Sequence, residues 1–415
     1  MSRWGVFASA VGIACVAGAS GVGALVSSPA LASSHAPAWA ATPPIRAKVV
    51  GRLADGKPRY SSAKPTGLPP SAIASVYHLS DLKAPASGTT GSGYGQTIAI
   101  VDAYHDPNAL SDLNTWNRQY KYPTLSTCAS TTTGPCFLQK DPEGTPKSTG
   151  GWAFEESLDI EWAHAEAPNA RIVLVEAASN SDANLFTAVK DAVSLYHATE
   201  VSMSWGGNEF STESSDDADM SAAGVFYTAS AGDSGHGAEY PAASPHVLAV
   251  GGTTLTGCSG TSCSGFTSET AWSGSGGGVS ADEPLPSYQG GYTGPVSGSA
   301  TINGLTGGFR GIPDVSFDAN PNTGVSIYDS TRYQGQSGWF TVGGTSVGAP
   351  NWAGILAAGA TTGGALQGAT AIYRSGYSGH LRDVTGGTNG NCGTDCTAGT
   401  GYDLVTGLGS PIASP

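Results

Sequence analysis

Arg171-Ile172-Val173-Leu174-Val175, then residues 182–196 (DANLFTAVKDAVSLY), then Glu200-Val201-Ser202-Met203-Ser204 decide the fold class. A short apolar run, an amphipathic stretch with Leu185, Val189 and Val193 on one side, and a second apolar run read as strand, helix, strand. The pattern extends both ways. Residues 96–102 (QTIAIVD) read as a buried strand, 108–120 and 152–165 as helices, and 225–229 and 247–250 as strands. The helix at 152–165 must stop before Pro168. Further helices are expected at 214–223 and from Ser71, where Ile73, Val76, Tyr77 and Leu79 fall at helical spacing. Such alternation gives an α/β fold, a doubly wound, mostly parallel sheet with helices on both faces. Functional residues then belong just beyond the carboxyl ends of strands. Residues 257–338 read as loop-rich with short strands.

The chain has 415 residues and a net charge of −14 with only 18 Lys+Arg, which argues against nucleic acid and anionic membranes as partners. Residues 1–32 carry one charge, Arg3, then an apolar run ending in Ala30-Leu31-Ala32, and read as a cleaved secretory signal. The expected localisation is extracellular. Residues 33–70, rich in Ala, Pro and Ser, read as an extended lead-in, and 71–411 as the main domain. Past the signal, six cysteines form three close pairs, Cys128/Cys136, Cys258/Cys263 and Cys392/Cys396. Spacing favours three local disulfides, as an oxidising setting allows. A metal cluster is the weaker alternative, since no pair has histidines at ligand spacing.

Gly343-Gly344-Thr345-Ser346-Val347-Gly348 runs into a small-residue apolar segment, a way to mount a nucleophilic serine at a helix start. Several activating partners are conceivable. A lipase-type elbow needs an acid and then a histidine after Ser346, but only His380 follows and no acid lies between. Gly232-Asp233-Ser234-Gly235 matches the nucleophile motif of an all-β protease class, which the strand–helix alternation contradicts. A subtilisin-type order, Asp then His then Ser, would use Asp102 at the end of the first strand, but its helix-opening histidine motif is absent. In its place stands Trp152-Ala153-Phe154-Glu155-Glu156-Ser157-Leu158-Asp159-Ile160-Glu161-Trp162. Glu155 and Asp159 share a helix face, with Cβ atoms about 6 Å apart. Glu155 could take the serine proton while Asp159 holds it. A solvated acidic face is the bland alternative for such a pair. The flanking Trp152, Phe154, Leu158 and Trp162 argue instead for a buried helix, where carboxylates are costly and tend to be functional.

Four segments in order resemble the sedolisins, the serine-carboxyl peptidases, over roughly residues 68–411 of the chain. They are Glu155-x-x-x-Asp159, Ala231-Gly232-Asp233-Ser234-Gly235, Gly344-Thr345-Ser346, and Arg382-Asp383-Val384 with Gly399-Thr400-Gly401-Tyr402-Asp403. The resemblance implies a subtilisin-like fold and a monomeric peptidase acting in acid on proteins or peptides. Ser346 would be the nucleophile, Glu155 the base, Asp159 its partner and Asp233 the oxyanion stabiliser. It also implies one structural calcium site from Asp383, Val384, Gly399, Gly401 and Asp403. Two carboxylates plus backbone carbonyls suit that ion, although Gly/Asp turns are common without one. His105, His164 and His236 read as structural, and Ser204-Trp205-Gly206 as cleft or core. Sedolisins carry a long folded N-terminal prodomain, and a lead-in of about 40 residues is too short to fold as one. Two alternatives remain: a subtilisin-type peptidase using Asp102 and a histidine, and an inactive secreted binding module on this scaffold.

Overall fold

The computed structural model describes residues 39–79, 92–129, 134–362, 368–374 and 377–412. The expected signal at 1–32 lies outside them. Among the described residues no helix is long and apolar enough to cross a membrane.

The elements that position the site are β1 (Arg46–Ala47), β2 (Ser61–Ser62), α1 (Pro70–Val76), β3 (Thr97–Ala103), α2 (Ala109–Tyr120), β4 (Cys136–Lys140), α3 (Gly150–Glu166) and β5 (Arg171–Ala177). They continue with α4 (Asp182–Ser194), β6 (Glu200–Met203), β7 (Phe226–Ser230), β8 (Val247–Thr256), β9 (Ser268–Ala271), β10 (Val315–Asp318), β11 (Val325–Tyr333), β12 (Gln336–Gly343) and α5 (Gly348–Thr362).

The central sheet runs β9-β8-β7-β6-β3-β5-β4, with β10 also paired to β8. All its pairings are parallel except β8 with β9. Both faces are covered, so β3 and β5 read as unbroken apolar runs rather than alternating ones. Their side chains still alternate in destination. Ile98, Ile100, Ile172 and Leu174 pack with Ile160 of α3 and Ala353 of α5. Ala99, Val101, Val173 and Val175 pack with Leu185 and Val189 of α4. Helices therefore lie on both faces, as the alternation predicts. Ser181 caps α4 by accepting from the Asn184 amide, which starts the helix one residue after the cap.

Three local expectations change. The helix expected at 214–223 is two 3-10 turns, Glu213–Ser215 and Asp217–Met220. Of its apolar side chains only Met220 is buried, and a stretch without a packed apolar face gains too little to hold a helix. The strand at 247–250 continues to Thr256 because β9 pairs with its second half. The loop-rich region includes the long hairpin strand β11, whose antiparallel partner is β12. The lead-in is drawn into that second sheet from residue 46 onward: β1 and β2 both pair with β12. The three local disulfides form as the spacing predicts.

Candidate active site

β12 ends at Gly343 and α5 starts at Gly348, and the turn between them carries Ser346. Gly344 sits at φ 113°, a left-handed conformation that favours glycine, and a Cβ there would lie 2.0 Å from the Pro44 carbonyl oxygen. The Thr345 amide donates to Asp233 Oδ1 at 2.8 Å. The Thr345 hydroxyl accepts from the Gly232 amide at 3.1 Å and lies 3.1 Å from Asp233 Oδ1. The Gly344–Ser346 turn is thus tied to the loop that follows β7, at the carboxyl end of the parallel sheet. Ser346 is completely buried.

α3 is buried from Trp152 to Glu166 on every side. Trp162 Nε1 donates to the Ser326 carbonyl at 3.1 Å, Phe154 stacks on Tyr333 at 4.1 Å, and Glu161 accepts from the Tyr328 amide. These contacts fix the helix against the β11–β12 hairpin. On the other side Gly354 lets α5 pack close, since a Cβ there would lie 2.6 Å from Glu166 Cβ. The two helices bring Glu155 and Asp159 to Ser346.

The electrostatics of this cluster are set by burial. Desolvation pushes the Glu155 carboxyl well above its usual range, and the neighbouring Asp159 and Asp102 push it further. The Ser346 hydroxyl acts in the other direction, favouring the charged form of Glu155. Burial likewise raises Asp159, partly offset by Ser204 and by Glu155 itself. Asp102 is raised by burial and then by Asp159. No salt bridge reaches these three carboxyls among the described residues. Three acids sharing one dry site cannot all ionise, so they must share protons. Asp102, which the subtilisin-type order placed at the end of the first strand, belongs to this cluster. Its position after four apolar strand residues was the only signal of that.

Asp233 lies beside the same turn. Burial pushes it up to about 7, against the Thr345 amide and the Arg46 guanidinium, which both favour its charged form. Arg46 Nε stands 3.3 Å from Asp233 Oδ2, and its Nη2 donates to the Asp233 carbonyl at 2.6 Å. No sequence signal pointed to Arg46. The histidines stand elsewhere: His105 pairs with Glu176 at 2.8 Å, and His164 packs on Tyr122. His236 lies beside Cys392 and Cys396, whose sulfurs are joined to each other. None of these contacts joins a histidine to Ser346 or Asp102, so the histidine-based alternative gains no support from them. Trp205 is fully buried and donates to the Val101 carbonyl, while the following Gly206 is buried too and pairs with Thr42.

The second cluster, at the chain's C-terminal end, also assembles. The Gly401 amide donates to Asp383 Oδ2 and the Gly399 amide to Asp403 Oδ2, at 2.9 and 2.8 Å. Thr406 Oγ1 lies 3.3 Å from the Val384 carbonyl and 3.2 Å from Asp403. Both carboxylates are tied to the turn at Gly399–Asp403, and neither has a salt-bridge partner among the described residues. Such an oxygen-only, net negative donor set fits a hard divalent cation.

A model of the subtilase family matches residues 145–367, more than half of the chain. Kumamolisin from Bacillus sp. (strain MN-32) is 34% identical over 395 residues, covering 87% of this chain and 65% of its own length. Sedolisin from Pseudomonas sp. (strain 101) is 27% identical over 381 residues, covering 82% of this chain and 59% of its own length. The chain therefore spans less than two thirds of the length of these curated relatives. The solved structure of Pseudomonas sedolisin, a serine-carboxyl proteinase bound to two molecules of pseudo-iodotyrostatin, superposes with a TM-score of 0.65 at 26% identity, covering 84% of this chain and 97% of that one. The chain belongs to the subtilase family, and within it is a sedolisin-family protein.

Proposed function

We propose that the protein is a secreted serine-carboxyl peptidase that cleaves protein or peptide substrates in acid. The observation that carries this reading is the burial of Glu155 and Asp159 against Ser346, with Asp233 on the adjoining loop. Ser346 Oγ attacks the substrate carbonyl and passes its proton to Glu155. The C–N bond breaks, Glu155 returns the proton to the leaving amine, and water hydrolyses the acyl ester by the same route. Asp159 shares a proton with Glu155 and so keeps one charge in the site. Asp233, when protonated, donates to the oxyanion. A carboxyl held near 7 is protonated in acid, and a carboxylate base works where histidine is already charged. The reading of an inactive binding module has no support in the site, because none of the four positions is broken.

Calcium at the C-terminal loop is part of the proposal. Asp383, Asp403 and the carbonyls of Val384, Gly399 and Gly401 would hold it, and it would pin the loop that Cys392–Cys396 closes. The ion supplies charge neutralisation of the two carboxylates and takes no part in the peptide chemistry.

The test is a pH–activity profile on a mixed peptide library. Ser346→Ala and Glu155→Gln should each lower kcat by at least about 10³-fold at every pH. Full activity in either purified variant would exclude the mechanism.

A further inference from the structure

A second group of donors lies at the carboxyl ends of β3, β4 and β5, on residues that neither the peptide chemistry nor the C-terminal loop uses. His105 stands just past β3, Asp141 directly follows β4, and Glu176 is the last residue but one of β5. Parallel register brings the three ends together, with Ala103 opposite Ala177 and Lys140 opposite Val175. One ligand atom from each of His105, Asp141 and Glu176 lies within 4.8 Å of the other two. His105 Nδ1 stands 2.8 Å from Glu176 Oε2 and 3.7 Å from Asp141 Oδ1.

Neighbouring groups fix how these atoms point. Glu176 Oε1 accepts from the Asp106 amide at 2.8 Å and from Gln139 Nε2 at 2.7 Å. Both bonds fall on one oxygen, which leaves Oε2 turned to His105. Gln139 Nε2 also donates to the Asp106 carbonyl at 2.7 Å and so holds the loop that carries His105. Outer contacts of this kind orient the ligands of metal centres.

A further carboxyl is aimed in from α3. Ile160 packs on Ile98, Ile100, Ile172 and Leu174, and Glu156 lies one turn before it on the same helix face. That earlier turn sits at the strand ends, since the adjacent Glu155 feels the charge of Asp102 near the end of β3. Glu176 comes two residues after Leu174 and shares its face of β5. Glu156 therefore points toward Glu176, the acid that acts on it most strongly. It is completely buried, and neither of its oxygens has a hydrogen-bond partner. Asp106 Oδ2 and Asp141 Oδ1 are buried without one as well. Among the described residues no Lys or Arg forms an ion pair with any of these carboxyls. A protonated His105 paired with Glu176 is the plain alternative. It would satisfy Glu176 Oε2 and leave the other four oxygens as they are. Buried carboxyl oxygens without partners are costly, and a cation is a partner that several can share.

We infer that His105, Asp141 and Glu176 bind a divalent transition-metal ion of the zinc class, with the Glu156 carboxylate facing it from α3. The imidazole decides the class: calcium and magnesium take oxygen ligands, whereas a ring nitrogen with carboxylates suits zinc. The ion has a way in, because the His105 and Asp141 side chains are 25% and 17% exposed. It shares no ligand with the proposed calcium loop. It would tie three strand ends to α3 and neutralise acids that otherwise repel one another.

The test uses the full chain carrying Ser346→Ala, so that self-digestion plays no part. The protein is stripped with a chelator and dialysed into saturating calcium. Zinc is then titrated by calorimetry at about pH 7, where histidine is mostly neutral. One zinc should bind per chain. His105→Ala, Asp141→Asn and Glu156→Gln should each weaken it at least about tenfold. The first two replace partly exposed side chains and the third keeps its shape, so the fold should survive, and a circular dichroism spectrum in calcium alone checks this. Asp383→Asn, in the calcium loop, should leave zinc affinity unchanged. No zinc uptake, or full affinity in any of the first three folded variants, would overturn the inference. Uptake that saturating calcium abolishes would give the site to a hard cation and overturn the zinc class. Zinc binding lost in Asp383→Asn would place the ion at the C-terminal loop and reject the site. None of these outcomes depends on the peptidase reading.

Discussion

Asp233 concentrates the chemistry of the site in one residue. Its Oδ1 accepts from the Thr345 amide while Oδ2 faces Arg46 and Gly344. An asparagine could keep the first bond through its oxygen and present an amide N–H on the other side, with no proton to lose. In the parent the proposed donor is lost as pH rises through about 7. Asp233→Asn should therefore abolish the alkaline fall in kcat near that pH while lowering kcat in acid by roughly 10-fold or more, since a neutral amide is a weaker donor than a carboxylic acid. Rate profiles from pH 4 to 9 decide this, and an unchanged alkaline limb would remove Asp233 from the oxyanion role. Ser346, Glu155, Asp159 and Asp233 could be proposed from the sequence because each sits in a short motif and the motifs fall in one order. Asp102 and Arg46 were not. One ends a strand like many others, and the other meets its partner 187 residues away.

At the scale of elements, α3 carries the proposed base and the turn that opens α5 carries the proposed nucleophile, so the packing of the two helices bears on the distance between them. Gly354 is the contact that permits it. A methyl there would lie 2.6 Å from Glu166 Cβ and 3.0 Å from the Ala163 carbonyl. Alanine is the better helix former by about 1 kcal/mol, yet Gly354→Ala should destabilise the protein by about 1–3 kcal/mol through overpacking. It should also lower kcat, because the two helices must part. Urea unfolding of the purified variant checks the sign, and a neutral or stabilising change would mean the helices adjust freely. The amphipathic pattern predicted α4 well because one face is solvated. α3 is apolar enough to bury on all sides, so its sequence could announce a buried helix but not which neighbour each face would meet.

For the whole molecule, burial raises several carboxyls together: Asp106 to about 6, Asp233 and Glu239 to about 7, and Glu200 and Asp329 to about 8. Unfolded, these groups ionise near pH 4. Between about pH 4 and 8 the folded state then binds more protons than the unfolded one, so stability is fully present in acid and falls as pH rises. With saturating calcium, Tm should be lower at pH 8 than at pH 5, and the opposite order would contradict the burial argument. Chelation at fixed pH should lower Tm further, and an unchanged Tm would remove the proposed ion. The sequence by itself determined the α/β class, the three disulfides and the motif residues at strand and helix ends. Those follow from local periodicity, close cysteine spacing and chain order, which a linear reading can see. Only the tertiary structure decided that Asp102 joins the carboxyl cluster and that residues 40–47 pair with Ser181, Gly206 and the end of β12. Both are contacts between segments far apart in the chain, fixed by sheet register and by the carboxyl-end crevice that the parallel strands leave open.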